Sequence, residues 1–108
     1  MAPAATTDYT DSEGNVLTLR DELSAGTLRK LEHLDATPAA SADDRWQRRS
    51  EFLFERLAVR WEIAGTDAIE RQRELLARYR FAGGDERAWI REVLRMHLAA
   101  HFPDLEAP

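Results

Sequence analysis

The sequence predicts a mainly α chain: a short N-terminal β-hairpin followed by one short and three longer helices, packed as a small antiparallel bundle. Three observations carry this expectation. Successive amphipathic patterns of helical period run between Asp44 and Phe102. The connections between them are short, which favours antiparallel neighbours. Ahead of them, the turn-rich Asp11-Ser12-Glu13-Gly14-Asn15 leads into the β-favouring run Val16-Leu17-Thr18-Leu19. At 108 residues, with 44% hydrophobic and 32% charged, the chain is expected to make one domain with a modest core.

The elements follow in order. Residues 1–8 are small and polar and read as a disordered tail, and the start lacks the basic and apolar regions of a signal peptide. Residues 9–34 hold the hairpin, Tyr9 to Arg20, and a short helix. Ser24 is its N-cap, and Leu28, Leu31 and Leu34 recur at helical spacing. Gly26 weakens that helix, so tertiary contacts must hold it. Residues 35–43 contain Pro38 and nothing worth burying, which predicts a linker. Residues 44–103 are expected to be the helical core. Asp43 or Asp44 caps a helix of about twenty residues that ends at Gly65, a natural left-handed C-terminal residue. Asp67 with Glu70 resembles a capping box opening the next helix, whose face is Ala68, Ile69, Gln72, Leu75, Leu76 and Tyr79. Gly83-Gly84 breaks it, Asp85 caps a last helix running to about His101, and Pro103 stops the pattern.

The first core helix presents two apolar faces. At 100° per residue, Trp46, Ser50, Leu53, Leu57, Trp61 and Ala64 share one stripe, with Phe54 at its edge. Phe52, Val59 and Ile63 form a second stripe roughly 145° away. The first is expected to be core. The second is either covered by the hairpin and first helix or is a surface for a partner helix or another copy of the chain.

Composition narrows the function. There is no cysteine, which excludes disulfides, thiol catalysis and cysteine-bound zinc and fits a reducing cytoplasm. No apolar run is long enough to span a bilayer, so no membrane partner is expected. Residues 1–43 carry eight acidic against three basic residues and hold the whole net charge of −5, whereas twelve acids and twelve arginines balance in residues 44–108. That distribution argues against nucleic acid. Fourteen of the fifteen basic residues are Arg, as a GC-rich genome would give.

No constellation names a reaction, and no enzyme, cofactor or metal is expected. His97 and His101 have the i, i+4 spacing of two metal ligands, but H-E-x-x-H is absent and packing at a helix C-terminus suits them better. Ser12 lies in the turn, Ser24 at a cap and Ser50 on the buried stripe, none of them placed as a nucleophile. Gly83-Gly84 precedes a helix N-terminus, but Asp85 and Glu86 put negative charge where an anion would sit. Arg87, Arg91 and Arg95 stand at i, i+4, i+8 on one helix edge, an arrangement that needs something acidic opposite. The expected partner-binding residues are therefore Phe52, Val59, Ile63, Arg87, Arg91 and Arg95.

The order of elements resembles the small tail assembly chaperones of long-tailed bacteriophages from GC-rich hosts. An acidic start leads to Val16-Leu17-Thr18-Leu19-Arg20-Asp21-Glu22-Leu23-Ser24, then a short helix and a linker. Next come a helix ending Ala58-Val59-Arg60-Trp61-Glu62-Ile63-Ala64-Gly65 and a last helix ending Ala100-His101-Phe102-Pro103. The likeness covers roughly residues 9–103 and is one of pattern, without a catalytic-grade signature. It implies a largely helical, non-enzymatic protein of the host cytoplasm that self-associates and binds the tape-measure protein during tail assembly. A longer frameshifted product is common in that family. The alternative is another phage or host interaction module: a head–tail connector, an antitoxin or an anti-defence protein.

Overall fold

A computed structural model describes residues 5–105, in which the chain forms β1 (Thr6–Thr10), β2 (Val16–Arg20), α1 (Ala25–Ala36), α2 (Ala42–Leu57), β3 (Ala58–Glu62), α3 (Gln72–Arg80) and α4 (Gly84–His101). The three strands make one antiparallel sheet in the order β1-β2-β3. The expected helical bundle behind a hairpin is thereby corrected: this is a mixed fold, 54% helical, with its third strand arriving after α2.

The hairpin forms where the turn residues put it. Asp11 Oδ1 accepts from the backbone N–H groups of Glu13 at 2.8 Å and Asn15 at 2.9 Å, and Gly14 takes the left-handed φ of +84° that an L side chain resists. Pairing runs further than expected, since Thr6 lies opposite Arg20. Residues 6–8, expected in a disordered tail, are thus part of β1, while residues 1–4 lie outside the described part. On one face of the sheet Leu17 and Leu19 are fully buried, beside Tyr9 and Thr7 of β1. On the other, Asp8, Thr18 and Arg60 stand in register, with Thr18 Oγ1 donating to Asp8 Oδ1 at 2.7 Å. One greasy face and one wet face are what an antiparallel sheet covered on a single side requires.

The largest correction concerns residues 58–64, expected to continue α2. The helix stops at Leu57 and the chain pairs with β2 instead, placing Trp61 opposite Leu17 and Ala58 opposite Leu19. A register shift between Thr18 and Leu19 leaves Val59 as an extra residue, a β-bulge. The bulge lets Ala58 and Trp61, three apart, both point into the core, where they are 4% and 1% exposed. Gly65 does adopt φ +84°, but it closes a turn after a strand rather than a helix. The two-faced helix therefore does not exist as such. Trp46, Ser50, Leu53 and Leu57 lie on α2, whereas Trp61 and Ala64 do not.

Two further boundaries move for local reasons. Ser41, not Asp43 or Asp44, caps α2, accepting from the Asp44 N–H at 3.1 Å. Asp67 and Glu70 make no capping box, because Ile69 exchanges two 2.9 Å backbone hydrogen bonds with Trp61 and keeps that stretch extended until Gln72. Gly83 rather than Asp85 is the N-cap of α4. Ser24 caps α1 as expected, accepting from the Thr27 N–H at 3.1 Å.

The core lies between the sheet and the helices. Phe54 of α2 is its hinge of contact, stacked on Tyr79 of α3 at 4.7 Å and edge-on to Trp61 of β3 at 5.7 Å. Ile90, Val93, Leu94 and Leu98 of α4 are buried in the same cluster. Among the described residues no helix is long and apolar enough to cross a membrane.

Candidate functional site

Among the described residues, three clusters of chemistry-bearing side chains bear most directly on the expected site residues. The first is a groove of about 490 Å³ between α1 and α2, lined by Gly26, Arg29, Lys30, His33, Leu34, Thr37 and Phe52. The spacing of the α1 residues, 26, 29, 30, 33, 34 and 37, is that of one helix face. Leu34 and Phe52 are half-buried and pack against the core, so they form an apolar floor. Arg29 and Lys30 are exposed and give the groove a cationic rim, with the exposed His33 beside them. No ion pair engages Arg29 or Lys30 among the described residues. The two helices are held in place by Arg49, 2% exposed on α2, paired to Asp35 near the end of α1. The Arg56 guanidinium lies 5.3 Å over the Phe52 ring and packs its other side.

The expected partner-binding residues are dispersed by the strand. Phe52 is in the groove floor. Val59 is the bulge residue of β3, and Ile63 follows that strand, half-buried against the core. The three share no single face. The Arg edge of α4 also divides. Arg95 is paired with Glu92, its Nε donating at 3.1 Å. Arg87 donates to the backbone carbonyls of Arg80 at 2.9 Å and Ala82 at 3.2 Å, closing the C-terminus of α3, and stands 5.4 Å over the Tyr79 ring. Arg91 is exposed and has no ion-pair partner among the described residues.

The second place surrounds the two histidines. His97 is fully buried, its Nδ1 2.8 Å from Tyr9 Oη and its Nε2 2.6 Å from the Arg20 carbonyl oxygen. A carbonyl only accepts, so Nε2 carries the proton and Nδ1 accepts from the tyrosine O–H. Asp21, just past β2, takes a 2.6 Å hydrogen bond from Thr7 Oγ1 and lies 3.5 Å from His101 Nε2 and 3.9 Å from His97 Nε2. Burial pushes the His97 imidazolium below its ordinary range, opposed by the hydrogen bond to Arg20 and by Asp21, and reinforced by His101. Burial also raises the Tyr9 phenol, with the Asp21 charge adding to it.

Asp21, His97 and His101 offer three ligand atoms within 4.8 Å of one another, and Asp21 is the third member that the sequence spacing of the histidines could not supply. A metal ion needs the Nε2 lone pair of His97, yet that nitrogen's proton already points at the Arg20 carbonyl. Both ring nitrogens are spent on backbone and tyrosine. The arrangement is a latch between the N-terminal hairpin and α4.

The third place is a cleft of about 240 Å³ where α2, α3 and the start of α4 meet, lined by Gln47, Ser50, Tyr79, Gly84, Arg87 and Arg91, among others. The leucines at 28, 31 and 34 mark only the buried side of α1, and the spacing of Arg29, Lys30 and His33 at i, i+1, i+4 is the signal for the rim above it. The exposed Phe81, 87% accessible at the end of α3, is not among the expected site residues. No protein-family model matches the chain, and neither a curated protein nor a solved structure does.

Proposed function

We propose that this chain is a non-enzymatic protein-binding module that holds an amphipathic helical segment of its partner in the groove between α1 and α2. The observation that carries the reading is the groove itself: an apolar floor of Leu34 and Phe52 under a rim of Arg29, Lys30 and His33, in a half of the chain that is otherwise acidic. A helix laying its apolar stripe into such a groove, with acidic residues flanking that stripe, satisfies floor and rim together. The tail assembly chaperones that the sequence resembles meet a partner of this kind, the long helical tape-measure protein. Phage tail assembly chaperone acting in the host cytoplasm, with self-association during assembly, is therefore the specific role proposed.

The test titrates a fluorescently labelled amphipathic helical peptide of the tape-measure type, its apolar stripe flanked by acidic residues, against the purified 108-residue chain by fluorescence anisotropy. Lys30→Glu with Arg29→Glu should weaken binding at least about tenfold at low salt, with the deficit shrinking as salt rises. Arg60→Glu, on the wet face of the sheet, should leave it unchanged. Binding that ignores the groove reversals refutes the proposed surface. Abundance of the protein in finished virions, measured by mass spectrometry, would favour a connector over a chaperone.

A further inference from the structure

The cleft between α2, α3 and the start of α4 is lined by Gln47, Ser50, Tyr79, Gly84, Arg87, Ala88 and Arg91, so the charged side chains in its lining are both cationic. Arg91 has no ion-pair partner among the described residues, and Arg87 has a guanidinium nitrogen left after closing α3. Gly84 is the first residue of α4, an eighteen-residue helix whose N-cap, Gly83, makes no side-chain capping bond. The first intrahelical acceptor, the Gly83 carbonyl, serves the Arg87 N–H, so the N–H groups of the first turn before it have no intrahelical partner. Tyr79 contributes a phenol on the same wall.

An independent observation points the same way. Ser50 is 5% exposed in the wall of this cleft, and its Oγ, fully buried, has no hydrogen-bond partner among the described residues. A helical serine ordinarily returns its hydroxyl to the carbonyl one turn back. Leaving it unmade costs stability, and the loss is recovered when a ligand accepts from it.

Asp85 and Glu86 follow Gly84 in sequence, but the fold turns both away from this cleft. Asp85 and Glu86 line a different cleft, on the side of α4 that faces the hairpin turn, and Glu86 is spent on Arg78 at 2.7 Å. Gly84, Arg87 and Arg91, three and four residues apart, turn to the opposite side. Among the described residues no carboxylate lines the cleft.

We propose that this cleft is an oxyanion site, taking a phosphate or carboxylate group on Arg91, the free nitrogen of Arg87, the Gly84 N–H and the hydroxyls of Tyr79 and Ser50. The helix N-terminus supplies directed N–H groups and a favourable dipole, and the two guanidinium groups supply the charge. The cleft lies apart from the α1–α2 groove and does not depend on it.

The experiment is a heteronuclear NMR titration of the full chain with inorganic phosphate, and separately with acetate, each at constant ionic strength against chloride. Saturable shifts at the Gly84, Asp85 and Ser50 amides are expected with at least one of the two. The stronger response tells whether the natural group is a phosphate or a carboxylate. Arg91→Gln should weaken that binding about tenfold or more, and Ser50→Ala several-fold without lowering the thermal midpoint of the unliganded protein. Shifts that do not saturate, or that appear equally at exposed arginines such as Arg60 and Arg73, overturn the proposal. So does binding that is indifferent to Arg91→Gln.

Discussion

His97 makes the stability of this protein depend on pH with a sign that can be worked out from its surroundings. The imidazole is fully buried, donates from Nε2 to the Arg20 carbonyl and accepts at Nδ1 from Tyr9. The groups facing it are Tyr9, Asp21 and His101, and burial is the largest influence on its proton, holding the folded-state pKa below the ordinary value. The unfolded chain takes up a proton as pH falls through about 6.5, whereas the folded chain resists. Stability from this site is therefore fully present above that pH and is lost below it, at up to about 1.4 kcal/mol per pH unit. Between pH 7.5 and 5.5 a histidine that stays neutral in the fold removes up to about 1.4 kcal/mol, a sizeable share of a small domain's stability.

The assay is urea unfolding of the wild type and His97→Gln at pH 7.5, 6.5 and 5.5. Glutamine fills much of the same space without titrating, so the gap between the two proteins isolates this one group. The wild type's advantage should shrink by about 1 kcal/mol towards acid. A gap that widens towards acid would mean that His97 is held protonated by Asp21, 3.9 Å away, and would refute the neutral latch. A constant gap would refute any coupling of this histidine to folding.

Two other substitutions test the fold. Arg60 stands opposite Thr18 on the wet face of the sheet, so Arg60→Thr should be more stable than Arg60→Ala by about 0.5–1 kcal/mol in urea unfolding. The order would reverse if residue 60 were helical. Phe54→Ala removes a fully buried ring that contacts both Tyr79 and Trp61, and should cost about 3–5 kcal/mol by the same measurement.

Much of the local structure was legible because its causes are local. Asp11 and Gly14 dictate the hairpin turn through bonds and a dihedral within five residues, Ser24 caps α1 through a bond three residues away, and the leucine and valine spacing of α4 marks its buried side. The polar character of one sheet face was likewise implicit in the alternation of Val16 to Arg20.

What the chain's own pattern could not reveal was where α2 ends. Leu53, Leu57 and Trp61 recur every four residues, and Ala58 and Trp61 lie three apart, so the period is helical on paper. In the fold, that spacing arises from a helix followed by a bulged strand, because the extra residue at Val59 resets the inward phase of β3. Only pairing with β2, which offers its backbone to residues about forty positions away in sequence, decides between the two. The sites share that origin. The basic groove needs α1 set against α2, the histidine latch needs Asp21 and Tyr9 brought to α4, and the oxyanion cleft needs α2 and α3 set beside the start of α4. Residue types and helix faces belong to the sequence; which faces meet is settled by the long-range burial of Leu17, Phe54 and Trp61 in one core.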